Sequence, residues 1–302
     1  MNKVDAGAVE LCYERFGRGD DPTLVLVHGL ASNLATWDRA LVQLLVDNGF
    51  SVLTLDTRDA GCSTILDDAP AFDMAAALRG DRSVVTYTLD DMADDLAGLL
   101  HALDVDGAHL VGVSMGGMIA QMTAVRHPEL VLSLCSIMST TGAPDVGLPT
   151  PEAAQVLTRR PARGRQGFVE QELENNALIG SRAPELVDVP WRRAKFERLY
   201  DHGVHSRGSG RQLMAILASG DRTAGLAAVS VPTVVVHGDA DSLIDVSGGK
   251  ATAAAIPGAQ LRIVPGMGHE LPPATWPVVV PAIVENARRG ETARQAMARQ
   301  SR

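Results

Sequence analysis

Three cysteines are all that the 302 residues contain. Cys12, Cys62 and Cys135 lie far apart, are odd in number and form no Cys-x-x-Cys pair, so the spacing suggests neither a disulfide framework nor a metal or redox site. They fit a reducing compartment. No run approaches 18 consecutive apolar residues, which excludes a membrane-spanning helix from the expectation. The opening MNKVDAGAVE lacks the apolar stretch of a secretion signal. Basic charge is in short supply as well: 27 Lys and Arg face 36 Asp and Glu, a formal net charge of −9. Arginines gather between Arg159 and Arg165 and again near the C-terminus, but nothing forms a basic stripe, which argues against a nucleic-acid or anionic-membrane partner. The expectation is a soluble cytoplasmic protein without cofactor or metal, whose partner is a small molecule, with self-association into a homodimer left open.

What is present is enough apolar sequence for a real core. A chain of this length buries about three quarters of the surface its unfolded form exposes. Unbroken β-branched and leucine runs at Thr23 to Val27, Ser51 to Leu55, Val131 to Ile137 and Val231 to Val236 read as strands buried on both faces of a parallel sheet. Val9 to Phe16 alternates weakly and reads as an edge strand; Gln260 to Val264 reads as the last strand. Helices are expected over Trp37 to Val46, over Thr88 to Leu103 with acidic residues in its first turn, and over 247–256. A closing helix over Pro277 to Arg288 runs into a charged, frayed tail. The polar stretch from Asp67 to Ser83 is expected to form a loop or short helix near the site.

The strand-helix rhythm stops at Met138 and returns near Ala228. A βα connection needs only a few residues, so these ninety are read as an inserted helical cap, with helices near Gly167 to Leu178, Trp191 to Tyr200 and Gly210 to Ala218. The expected division is a core of residues 1–138 and 229–302 with a cap of residues 139–228. Trp191, Phe196, Tyr200, Leu213, Met214 and Leu217, all in this insert, are candidates for the walls of a substrate pocket. His202 and His205 have metal-like spacing but lack a third ligand and are not read as a metal site.

The chemistry centres on GVSMG, Gly112 to Gly116. The strand Ala108 to Gly112 comes before it and a helical pattern from Met115 to His127, stopped by Pro128, comes after it. In such a strand-to-helix turn the serine sits in strained backbone space, and flanking glycines leave room for the tight crossing. Ser114 is therefore the candidate nucleophile, with the backbone N–H of Met115 facing an incipient oxyanion. His28-Gly29 closes the first buried strand, and the N–H of Leu30 is the candidate second donor; His28 itself reads as an architectural hydrogen-bonder. Asp241, in HGDADSLIDV at the end of a buried strand, is the orienting acid, with Asp239 its competitor and Asp245, further along, a surface or cap residue. His269, on the glycine-loosened loop PGMGHELPP, is the base. In DTRDAGCS, residues 56–63, the acids Asp56 and Asp59 read as structural partners of Arg58 in preference to catalytic carboxylates.

The order Ser114, Asp241, His269 is that of the α/β-hydrolases, and VLVHG, GVSMGGMIAQ, VPTVVVHGDAD and VPGMGHELP resemble that superfamily along nearly the whole chain. With DTRDAGCS and PGMGHELP the likeness extends to the aclacinomycin methylesterases and related actinobacterial carboxylesterases. The resemblance implies a mostly parallel eight-stranded sheet flanked by helices with an inserted helical cap, a Ser114–His269–Asp241 triad, and the oxyanion donors Leu30 and Met115. It also implies hydrolysis, through an acyl-enzyme, of methyl or other small-alcohol esters of a bulky, fairly apolar acid. Cofactor-free haloperoxidase or perhydrolase activity would use the same triad. Lactone or carbon–carbon bond hydrolysis, and a non-catalytic receptor on this fold, are further alternatives. A serine at the turn excludes the chemistries that need an aspartate nucleophile there.

Overall fold

The computed structural model describes residues 1–69, 73, 76 and 81–300. Most of the stretch expected as a loop or short helix between Asp67 and Ser83 lies outside the described residues. Among the described residues eight strands form one sheet in the order β1-β2-β4-β3-β5-β6-β7-β8. They are β1 (Asn2–Asp5), β2 (Glu10–Phe16), β3 (Thr23–Val27), β4 (Ser51–Leu55), β5 (Ala108–Val113), β6 (Val131–Ile137), β7 (Thr233–Gly238) and β8 (Gln260–Val264). Pairing is parallel from β4 through β3 to β8 and antiparallel at β1/β2 and β2/β4. Strand β2, expected at the edge, is instead paired on both sides. Strand β1 pairs with it and takes that place, and three of its four residues are exposed, so it leaves no apolar signature.

Every residue of β3 and β4 is buried, and alternate side chains feed two different cores, as a period of two requires. Val25, Val27, Leu53, Leu55 and Leu110 join Leu89 to Leu100 and Met115 to Ala124 on one face. Leu24, Leu26, Val52 and Val111 join Leu41, Leu45, Val279 and Ile283 on the other. The helices that cover these faces are α1 (Arg39–Asp47), α2 (Leu89–Ala102) and α3 (Met115–Arg126), then α9 (Val246–Ala255) and α10 (Trp276–Gln300), numbered to leave room for the insert. Asp38 caps α1 by accepting from Ala40 N. Thr88 and Asp91 form a capping box at the start of α2, satisfying N–H groups that the first turn would leave open. The closing helix α10 continues through Pro281 to residue 300, where the sequence suggested a frayed tail.

Between β6 and β7 the chain makes α4 (Pro151–Thr158), α5 (Gly164–Ile179), α6 (Val189–His202), α7 (Ser206–Ser219) and α8 (Thr223–Leu226). This inserted helical region has a small core of its own, Val169, Phe196 and Leu199 with Phe168 and Leu173 against it. The sheet order reverses around β3, which places a crevice beyond the carboxyl ends of β3 and β5. No helix among the described residues is long and apolar enough to cross a membrane.

Candidate active site

The turn after β5 has the strain that its sequence suggests. Ser114 has φ 54° and ψ −122°, a conformation that costs a non-glycine residue about 1–3 kcal/mol. Its surroundings hold it there. A Cβ on Gly116 would collide with the carbonyl oxygen of Val27, and one on Gly112 with that of Gly116, so strand β3, strand β5 and helix α3 can approach only over bare backbone. The Ser114 N–H donates to Ile137 O at 2.9 Å, and its carbonyl accepts from Gly117 N, Met118 N and the Ser139 hydroxyl. Ser114 precedes α3, so Met115 is the first residue of that helix and its N–H has no intrahelical acceptor.

Three side chains from distant parts of the chain meet at this turn. The Ser114 hydroxyl donates to His269 Nε2 at 3.0 Å, and His269 Nδ1–H donates to Asp241 Oδ2 at 2.8 Å. A carboxylate only accepts, so the ring proton sits on Nδ1 and Nε2 is left to receive. Asp241 is itself fixed, because its Oδ1 accepts from Leu243 N and Ile244 N, each at 2.9 Å. Asp239 takes a different job, accepting from Gly266 N at 2.6 Å and so tying down the turn before His269. Asp245 caps α9 through Ser247 N.

The loop after β3 supplies the opposite wall. His28 is fully buried, and burial pulls its pKa down. Thr57 N–H donates to His28 Nε2 at 3.1 Å, so the other nitrogen carries the proton and donates to Gly29 O at 2.8 Å. The imidazole thereby staples the β3 loop to the β4 loop and stands apart from proton transfer. Gly29 and Leu30 line one cavity with Ser114 and His269, of about 140 Å³. Its apolar walls include Trp37, Leu41, Met138, Trp191, Leu271 and Trp276.

Of the six insert residues expected at the pocket, the structure brings Trp191 to this cavity. Phe196 packs inside the insert with Val169 and Leu199. Tyr200 sits against Phe168, with ring centroids 5.5 Å apart, and Leu213 and Met214 are buried. Leu217 is 46% exposed and does not line this cavity, while Ala215 and Ile216 of the same helix meet the core.

Buried charge joins the insert to the core, and sequence reasoning missed it. Arg192 on α6 donates to both carboxylate oxygens of Glu270, the residue after His269. Ser181 N–H donates to Glu270 Oε1, and His269 N–H donates to Ile179 O at 2.7 Å. Arg58 and Asp59 do not fasten each other: Arg58 pairs with Asp95 on α2, and Asp59 with Arg211 on α7. Burial raises the pKa of Asp59, but the Arg211 hydrogen bond, Leu66 N–H and the Tyr87 hydroxyl outweigh it and hold the carboxyl below its usual value. Asp56 accepts from Leu34 N, Cys62 N and His202 Nε2–H, and His205 Nε2–H donates to Gly61 O. Histidines at 202 and 205 thus anchor the end of α6 to the loop after β4. His237, before the Asp241 turn, also went unassigned; its Nε2–H donates to Ile244 O at 2.8 Å, beside Asp241.

The cysteines are less scattered in space than in sequence. Side-chain ligand atoms of Cys12, Asp56 and Cys62 lie within 4.8 Å of one another. Burial, then the Asp56 charge, pushes the Cys12 thiol up to about 12. Both Asp56 oxygens are already taken, so the Cys12 thiol faces a carboxylate that is committed elsewhere.

Comparison with known proteins agrees with this architecture. The profile of the alpha/beta hydrolase fold matches residues 22–272. A rhodomycin D methylesterase of Streptomyces peucetius is 25% identical over 299 residues, covering 93% of this chain and 95% of that one. A 2-(acetamidomethylene)succinate hydrolase of Mesorhizobium japonicum is 28% identical over 273 residues, covering 88% and 87%. Among solved structures, the enol-lactonase of Burkholderia xenovorans superposes with a TM-score of 0.71 at 22% identity, over 96% of this chain and all of that one.

Proposed function

The chain belongs to the α/β-hydrolase fold family, and from that premise we propose that it is a serine carboxylic-ester hydrolase working through an acyl-enzyme. One observation carries the reading: Ser114 Oγ stands 3.0 Å from His269 Nε2 while His269 Nδ1 stands 2.8 Å from Asp241. In this reading His269 takes the Ser114 proton as Oγ attacks the ester carbonyl and then returns it to the departing alcohol. Asp241 keeps the imidazole in the receiving tautomer and stabilises its charged form. The N–H groups of Leu30 and Met115 hold the tetrahedral oxyanion; losing one such donor typically costs about 3 kcal/mol of transition-state stabilisation. Water, activated by the same histidine, then releases the acid.

Residues 139–228 act as a cap over a core formed by 1–138 and 229–302, and the cap brings Trp191 and Lys195 to the pocket. The tryptophan-rich cavity favours a bulky, apolar acid esterified with a small alcohol, in keeping with the similarity to a methylesterase. Treatment with a fluorophosphonate tests the assignment: intact mass and peptide mapping are expected to place one adduct on Ser114. An unmodified Ser114 in folded protein would refute it.

A further inference from the structure

Lys195 lies on α6 one turn after Trp191, and the two side chains line the same cavity as Ser114 and His269. Its ammonium stands over the Trp191 ring at 5.6 Å and near the Phe196 ring at 5.9 Å. Among the described residues no carboxylate lies within 4.0 Å of it and no hydrogen bond leaves it. The neighbouring acids are committed elsewhere. Glu270 is held by Arg192 and Ser181 N–H. Asp38 caps α1 and accepts from Trp191 Nε1–H at 3.0 Å and, at 3.5 Å, from Arg198. Glu172 accepts from Asn175. Burial pulls the Lys195 pKa down; Glu270 and Glu172 oppose that pull, while Arg198 and Arg192 add to it. A second donor in the cavity wall is also unmatched: Trp37 is 5% exposed, and its indole N–H has no acceptor among the described residues.

A half-buried cation without an anion, set in a wall whose acids are all engaged, is a poor element of stability and a good ligand contact. We propose that Lys195 seats a carboxylate on the substrate, so that the esters this site takes carry a carboxylate besides the scissile ester bond. The proposal rests on the ester-hydrolase reading of Ser114 and narrows it. The apolar walls hold the body of the acid, and Lys195 fixes which end enters.

The test compares two matched pairs of esters. Mono(4-nitrophenyl) glutarate against 4-nitrophenyl butyrate puts the anion on the acyl side, and 4-acetoxybenzoate against phenyl acetate puts it on the alcohol side. In one pair the native protein is expected to favour the anionic member in kcat/KM. Lys195→Met is expected to lower that preference by roughly tenfold or more, as loss of a charge-assisted hydrogen bond implies, whereas Lys195→Arg retains most of it. No preference in either pair, or an equal loss on both members in Lys195→Met, would overturn the proposal. Binding of the N-methyl hemiamide of glutaric acid, measured by calorimetry, separates the two readings because it needs no catalysis. If no ester is turned over, the hydrolase reading fails. Hemiamide binding then decides the lysine: tighter binding to the native protein than to Lys195→Met sustains the carboxylate seat, and equal or absent binding refutes it.

Discussion

Arg192 Nε lies 3.0 Å from Oε2 of Glu270, and Glu270 is the chain neighbour of His269. A residue of the inserted helices therefore holds the loop that carries the candidate base. Both partners are nearly inaccessible, with side-chain exposures of 8% and 1%. Removing one member leaves the other charge buried and alone, which typically costs about 3–5 kcal/mol, whereas replacing both with apolar residues is often neutral. Arg192→Met and Glu270→Gln are each expected to lower the urea midpoint strongly and to reduce kcat, and Arg192→Met with Glu270→Leu to regain most of the stability. Additive losses in the double variant would contradict this coupling.

The positive φ of Ser114 makes a second prediction, in which stability and activity part company. Ser114→Gly relieves backbone strain that Ser114→Ala keeps. Against the larger conformational entropy of glycine in the unfolded chain, the net advantage of glycine over alanine is expected to be about 1 kcal/mol. Thermal unfolding of the two variants checks it; an alanine variant more stable than the glycine variant would show that the turn is unstrained.

Three buried histidines set the acid side of the stability profile. Burial is the leading cause that pulls the pKa values of His28, His109 and His237 down. The unfolded chain then binds protons that the folded chain refuses, so stability is full above the unfolded value near 6.5 and declines as pH falls below it. Each such histidine contributes a slope of up to about 1.4 kcal/mol per pH unit in that window. Urea unfolding at pH 7.5 and pH 5.5 is expected to give clearly lower stability at the acid value. Equal stability at the two would contradict the neutral, buried assignment.

The parts of this architecture that could be read from sequence are those whose cause is local. Strands such as β3 and β4 show as unbroken apolar runs because both faces of the sheet are covered. The turn at Ser114 shows because GVSMG is a contiguous motif: a Cβ on Gly112 would meet Gly116 O four residues on, although the collision that keeps Gly116 bare is with the distant Val27 O. Helix α4 went unread although Thr150 caps it and Pro151 opens it, since eight residues carry little periodicity. Strand β1 sets a single side chain, Val4, against the core and is otherwise defined by backbone pairing, too little for an apolar pattern. The ties between insert and core, Arg192 to Glu270 and Arg211 to Asp59, join residues 78 and 152 positions apart. Nothing in the local pattern distinguishes those arginines, or Lys195 between them, from a solvated helix face.

The central claim is that Ser114 carries the acyl group. Ser114→Ala, purified and shown by circular dichroism to be folded, is to be compared with the native protein for hydrolysis of a small-alcohol ester. The account predicts a fall in kcat of a thousandfold or more, on the order seen when a triad nucleophile is removed. Hydrolysis by the alanine variant at the native rate would contradict it.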